Sequence, residues 1–171
     1  MEKYTDLHCH SAASDGTFSP SEVAELALKT GLSSIALTDH DTVEGIDEFI
    51  EAGKRLGIET IPGVELAAGY KNTELHIVGL FIDHKSRSLA ESMEYIVNER
   101  NERNRKMVFI LNRLGFDMSL EDLEENAKGN IITRAHYANV LVNKGYVEDK
   151  EEAFSKYISS GNAAKFKVLF L

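Results

Sequence analysis

Cysteine, proline and tryptophan are nearly missing from this 171-residue chain, which has one Cys, two Pro and no Trp. The single Cys9 excludes an internal disulfide framework and leaves no thiolate set for a structural zinc site. It fits a reducing compartment. The N-terminal Met1-Glu2-Lys3-Tyr4-Thr5-Asp6 lacks the apolar run of an export signal, so the expected location is cytoplasmic. No stretch of about 18 uncharged apolar residues occurs, so neither a transmembrane helix nor a membrane partner is expected. Basic charge is in deficit as well: 19 Lys and Arg stand against 28 Asp and Glu, a formal net charge of −9. Such a field repels phosphate and argues against a general polyanion-coating surface. It is compatible with an anionic substrate where bound divalent cations reverse the sign locally.

With those classes set aside, 43% hydrophobic content is enough for one core, or one core plus a small helical lobe. Tyr4 to His8 reads as a short strand entering a polar loop. Ser19-Pro20-Ser21-Glu22 is a helix start, with Ser19 as N-cap, Pro20 at the first helical position and Glu22 completing a capping box. Gly31 is the expected stop. Ser34 to Leu37 is a buried strand that ends at Thr38-Asp39-His40-Asp41. A second helix is expected over Val43 to Leu56, with Gly57 after it. Ile58 to Ile61 is the next strand, broken by Pro62-Gly63 before Val64-Glu65-Leu66. Glu74 to Ile82 is a further strand, hairpin-paired with residues 64–70 through Lys71-Asn72. This alternation implies βαβ units and a mostly parallel sheet, with functional residues gathered where strands end.

The pattern changes after Ser88. A long helix is expected over Leu89 to Leu114, apolar at both ends and polar from Asn98 to Lys106. Shorter helices follow near 119–127, 133–143 and 149–159. The division is therefore an α/β part over residues 1–85, a helical lobe over 86–160 and a strand-like tail over 161–171.

The chemistry concentrates before residue 77. His8 and His10 lie two apart, so on an extended segment both imidazoles face one side and can chelate a divalent ion. Asp6 is placed to orient a ring. Asp15 sits in a Ser-Asp-Gly turn, His40 lies between Asp39 and Asp41, and Glu65 opens the next strand-end junction. His76 lies on a strand between Leu75 and Ile77; taken alone, it reads more readily as a hydrogen-bonded core histidine. Asp39 and Asp41 have helix capping as their default reading, and Cys9 reads as a small buried hydrophobe. His84, in a polar turn, is expected at the solvated surface. Mixed His and carboxylate donors suit zinc, manganese or iron, and several such ligands sharing a carboxylate can hold two or more ions close together.

In this order, Asp6-Leu7-His8-Cys9-His10, Ser14-Asp15-Gly16, Thr38-Asp39-His40-Asp41, Gly63-Val64-Glu65 and His76-Ile77-Val78-Gly79-Leu80 resemble the motifs of PHP-domain (polymerase and histidinol phosphatase) metal-dependent phosphoesterases. Ile132-Thr133-Arg134-Ala135-His136-Tyr137-Ala138 and the arginines between Asn98 and Lys106 are similar to the insertion of the subgroup acting on nucleoside 3′,5′-bisphosphates, AMP-like nucleotides or short RNA 5′ ends. The resemblance implies a distorted (β/α) barrel with up to three divalent ions at the strand C-termini. It implies that His8 and His10 bind one metal, Asp15 and His40 belong to a second, Glu65 bridges two ions, and His76 completes the third. Arg134 and His136 are implied to meet the substrate phosphate.

The implied activity is hydrolysis of phosphate monoesters or diesters of nucleotides or short RNA through a metal-bound hydroxide. In the resembled family, further strands, a His-Pro-Gly segment and a late Asp-x-His pair would follow residue 160, and none is present here. The expectation is therefore a partial barrel of the PHP type with fewer ions, shortened at its C-terminus, whose uncovered strand edges favour self-association. The alternative function is a non-catalytic metal- or nucleotide-binding remnant of such an enzyme. A metal-dependent amide hydrolase would want a bridging Lys at a strand end, and neither Lys29 nor Lys54 is placed so.

Overall fold

A computed structural model describes residues 4–71 and 73–158. Strand β1 (Tyr4–Cys9), helix α1 (Pro20–Lys29), strand β2 (Leu32–Leu37), helix α2 (Ile46–Leu56), strand β3 (Glu59–Tyr70) and strand β4 (Thr73–Leu80) form the α/β part. Helices α3 (Arg87–Arg113), α4 (Leu120–Asn126), α5 (Arg134–Asn143) and α6 (Lys150–Ala153) follow, and a single π-helical turn, Phe154–Ile158, closes the described chain. The tail expected over 161–171 lies outside the described residues.

The sheet runs in the order β1-β2-β3-β4, parallel across the first three strands and antiparallel between β3 and β4. Strand β2 is buried without interruption from Ser34 to Leu37, as a strand covered on both faces must be. Helix α1 begins with the expected capping box: Ser19 accepts from the Glu22 N–H while Glu22 accepts from the Ser19 N–H. Such a cap is worth about 1 kcal/mol. Val23, Ala24 and Ala27 of α1 then meet Ile46, Phe49 and Ala52 of α2 over Ile35 and Leu37. Gly31 and Gly57 follow α1 and α2 at φ +82° and +74°, backbone that a side chain rarely adopts.

Several boundaries shift by a residue or two, and two differences from expectation bear on the site. Helix α2 starts at Ile46 rather than Val43, because Asp41 sits at φ +49° and Thr42 accepts the Glu44 N–H, turning the chain first. The break at Pro62-Gly63 does not occur, and β3 runs straight through it. The strand changes partners there: Glu59–Pro62 pair with β2 and Gly63–Tyr70 with β4. Pro62 stands at the changeover, where its carbonyl accepts the Ile82 N–H. At Gly63 a Cβ would come 2.8 Å from Thr38 Cγ2 and 2.9 Å from the Gly79 carbonyl, so close strand packing demands glycine.

A second apolar cluster belongs to the helical lobe, with Met107, Leu111, Leu123, Tyr137, Leu141 and Ile158 at its centre. The polar middle of α3 is not wholly solvated: Arg100 and Asn104 are buried on the same face as Met93, Met107 and Leu111. The lobe touches the α/β part through specific bonds. Lys128 donates to the Thr17 carbonyl, Asn130 to the Glu44 carboxylate, and Arg100 to Asp41. Edge strand β4 exposes Leu75, Ile77 and Val78. No helix among the described residues is long and apolar enough to cross a membrane.

Candidate metal centre

The ends of β1 and β2 and the β3–β4 hairpin together deliver the site. Past β2, the chain from Asp39 to Asp41 continues alongside β3: Glu65 N–H donates to the Asp39 carbonyl and Asp41 N–H to the Glu65 carbonyl. That bridge sets His40 beside Glu65. On the other side β4 is antiparallel to β3, with Ala67 opposite His76, so His76 reaches Glu65 from the adjoining strand. Strand β1 carries His8 near its end and His10 just beyond it.

Glu65 is the hub. Only 3% exposed, it meets four imidazoles. Its Oε2 lies 2.8 Å from His8 Nε2, 3.1 Å from His10 Nε2 and 3.6 Å from His40 Nδ1, and its Oε1 lies 2.6 Å from His76 Nδ1. Asp15 approaches from the loop after β1, 3.9 Å from His10 Nδ1 and 3.7 Å from His40 Nε2. Three overlapping donor sets result: His8, His10 and Glu65; His10, Asp15 and His40; and His40, Glu65 and His76. All six residues singled out from the sequence are thus brought together. His10, His40 and Glu65 each fall in two of the sets; a neutral imidazole has one lone pair to give, so Glu65, with two oxygens, is the residue of the three able to bridge, as expected.

The donor set fits divalent cations. His10 Nδ1 and His40 Nδ1 are buried with no hydrogen-bond partner, a costly state that a bound cation relieves. Burial lowers the His40 pKa; Asp15 and Glu65 oppose this, while His10 and Arg100 add to the lowering. A lowered pKa favours the neutral ring, which offers one nitrogen lone pair for coordination. Burial alone would raise the Glu65 pKa, but hydrogen bonds from His8 and His76, with the His40 ring close by, turn the net shift downward, so the hub is a carboxylate. Cys9 is half-buried against the α/β core, and burial, with Asp6 and Asp39 nearby, pushes its thiol up. It packs rather than ligates.

The flanking acids position the site. Asp39, 2% exposed, accepts from Ser11 N–H at 2.7 Å, Ser11 Oγ at 2.6 Å and Ser14 Oγ at 2.6 Å. These bonds fix the loop that presents Asp15. Asp41 accepts the Ala67 N–H and forms a buried ion pair with Arg100. Neither acid caps α2, whose N-terminus at Gly45 has no side-chain cap. The default capping reading is therefore wrong for both. Asp6 accepts the His8 backbone N–H instead of orienting an imidazole. His84 is not free surface either: its Nε2 lies 2.9 Å from Asp47.

A cleft of about 170 Å³ opens beside the cluster, with Asp15, His40 and His76 on its lining. The lobe supplies Arg100, Arg103 and Arg134, together with Phe154. Arg134, expected to meet the substrate phosphate, is on this lining. His136 is 4% exposed, and its Nδ1 accepts the Thr133 N–H at 2.9 Å in a capping box. That bond places its proton on Nε2. Burial lowers its pKa, opposed by the Asp15 charge.

Sequence and structure comparisons follow this geometry. The PHP domain family model matches residues 6–162. A 5′-3′ exoribonuclease of Haemophilus influenzae is 38% identical over 167 residues, covering 98% of this chain and 61% of that protein. A 3′,5′-nucleoside bisphosphate phosphatase of Chromobacterium violaceum is 37% identical over 160 residues, covering 91% and 55%. The chain therefore spans little more than half the length of these curated relatives. A solved amidohydrolase structure from Chromobacterium violaceum, with bound sulfate and no metal, superposes with a TM-score of 0.84 at 36% identity, covering 92% of this chain and 56% of that one. A Bifidobacterium adolescentis structure assigned as a metal-dependent phosphoesterase gives 0.82 at 30% identity over the same shares. The architecture is accordingly the partial distorted barrel with a helical lobe that the motifs implied.

Proposed function

Because the chain belongs to the PHP domain family, we propose that it is a metal-dependent phosphoesterase acting on nucleotides or short RNA 5′ ends. The observation that carries the reading is the convergence of four histidines on Glu65, with Asp15 against two of them, beside a cleft lined by arginines. His8, His10, Asp15, His40, Glu65 and His76 would hold up to three divalent ions, with manganese, zinc or iron matching the mixed N and O donors. Such ions, when bound, acidify a water and neutralise charge developing on the phosphoryl oxygens.

The remaining work falls to the chain. Arg134 and Arg103 line the cleft and orient the phosphate, where guanidinium geometry matches paired phosphate oxygens. His136, buried and off the cleft lining, accepts the Thr133 N–H and so holds the segment that carries Arg134, through which it acts on the phosphate. Asp39 and the two serines hold the Asp15 loop against movement during turnover. Acidic net charge discourages long polyanions, which favours small nucleotides and chain ends. Association of two copies through the exposed edge strand β4 is part of the reading, and strictly monomeric scattering across micromolar concentrations argues against it.

The test is phosphate release from adenosine 3′,5′-bisphosphate by the purified chain with added manganese. Turnover that disappears in Glu65→Ala supports the reading. Metal binding without turnover favours a non-catalytic binding remnant, and turnover that survives Glu65→Ala rules out the centre described above.

A further inference from the structure

We propose that Phe154 is the specificity-determining contact for the base of the substrate, forming a stacking wall that selects base-bearing phosphate esters over sugar phosphates. The inference rests on the phosphoesterase reading and names what that site recognises beyond phosphate. Phe154 lines the same cleft as Asp15, His40 and His76, and among the described residues it is the one benzene ring there. The rest of the lobe's contribution is polar or small, with Arg103, Thr133 and Arg134 suited to phosphate and ribose oxygens. An apolar ring beside those donors has no phosphate to serve. A nucleotide places a flat, weakly hydrated base a short way from its phosphate, which is the shape this pairing of groups accommodates.

The ring is also held in advance. Phe154 is half-buried and packs against the apolar cluster of the lobe, so it loses little rotamer freedom on meeting a ligand. It stands at the junction of α6 and the π-helical turn Phe154–Ile158. Single π turns recur at functional sites because the altered register re-aims a side chain. Stacking uses the π face that every base has, so the contact reads the presence of a base and not its identity.

Two experiments decide it. The chain has no tryptophan, so Phe154→Trp installs a single fluorescent reporter at the position. Without added metal, adenosine 5′-monophosphate is expected to quench it saturably, while ribose 5-phosphate at equal concentration does not. Equal responses to both, or no response to either, overturn the proposal. In the kinetic arm, Phe154→Leu keeps the apolar packing and removes the aromatic face. Its kcat/KM for adenosine 3′,5′-bisphosphate is expected to fall roughly 5- to 100-fold, the size of one lost base stack. Its kcat/KM for the abasic sugar 3,5-bisphosphate falls much less, so the preference for the base narrows, and Phe154→Tyr restores it. An unchanged preference for the base in Phe154→Leu overturns the proposal. If the wild type releases phosphate from neither substrate, the phosphoesterase reading fails, and the fluorescence arm still decides the stacking contact.

Discussion

Replacing Arg100 by Met is expected to be among the most damaging single changes outside the metal centre. The Asp41 side chain is 1% exposed and the Arg100 side chain 10%, so their ion pair is shielded from water. Arg100 also donates to the Ile132 carbonyl, and Asp41 also accepts the Ala67 N–H at 3.0 Å. In Arg100→Met the carboxylate stays buried with one backbone N–H as its partner. Breaking a buried pair in this way costs about 3–5 kcal/mol. Asp41→Asn in the same chain removes the stranded charge, keeps an oxygen for Ala67, and tolerates the φ of +49°. What remains in the double variant is hydrogen-bond mismatch, about 1–3 kcal/mol. The double variant is therefore expected to be more stable than Arg100→Met by about 2 kcal/mol, the difference between the midpoints of those two costs. Urea unfolding followed by circular dichroism reads this as midpoints at a shared slope. A cost below about 1 kcal/mol for Arg100→Met, as for an exposed pair, refutes the reasoning. A double variant weaker than the single one refutes it equally.

Two further outcomes are expected. A Cβ on Gly129 would come 2.2 Å from the Ala13 carbonyl, so Gly129→Ala should push the lobe off the Asp15 loop at a cost of about 1–3 kcal/mol and lower phosphate release; wild-type melting and turnover would contradict this close contact. Burial lowers the His136 pKa, with Asp15 opposing and Lys150 adding, so the unfolded chain takes up a proton first as pH falls. The stability His136 contributes is thus complete above its ordinary value of about 6.5 and is lost as pH falls through the folded-state value. His136→Gln, which keeps an acceptor for the Thr133 N–H, should flatten that loss between pH 7 and 5, and an unchanged slope would refute the assignment.

Much of the α/β part is legible in the sequence because it is built from local rules. The Ser19–Glu22 box, the two stop glycines and the hairpin around Lys71 follow from residue type and spacing. Part of the metal-ligand set is legible for a related reason: His8, His10 and His40 sit at or just past strand ends, where the period of two and the βαβ order fix their side, whereas Glu65 and His76 lie within β3 and β4. The continuity of β3 is not, because Pro62 is tolerated only through a change of pairing partner that lies elsewhere in the chain. Asp39 and Asp41 invite a capping reading because Asp does cap helices, and only tertiary contacts assign them to Ser11, Ser14 and Arg100. Arg100 and Asn104 left a signal that was there to find. Positions 93, 97, 100, 104, 107 and 111 keep helical spacing of three and four, so the apolar stripe of α3 passes through both. Phe154 left none, since no sequence rule used above announces a π-helical turn.

The metal centre rests on the three overlapping donor sets around Glu65. Elemental analysis after equilibrium dialysis against manganese or zinc tests them without relying on turnover. The wild-type chain should bind more than one divalent ion per molecule, and Glu65→Ala, His10→Ala and His40→Ala should each lose most of that complement. His84→Ala, whose ring meets Asp47 away from the cluster, should lose none. No saturable binding by the wild type, or a full complement retained in Glu65→Ala, would contradict the metal centre.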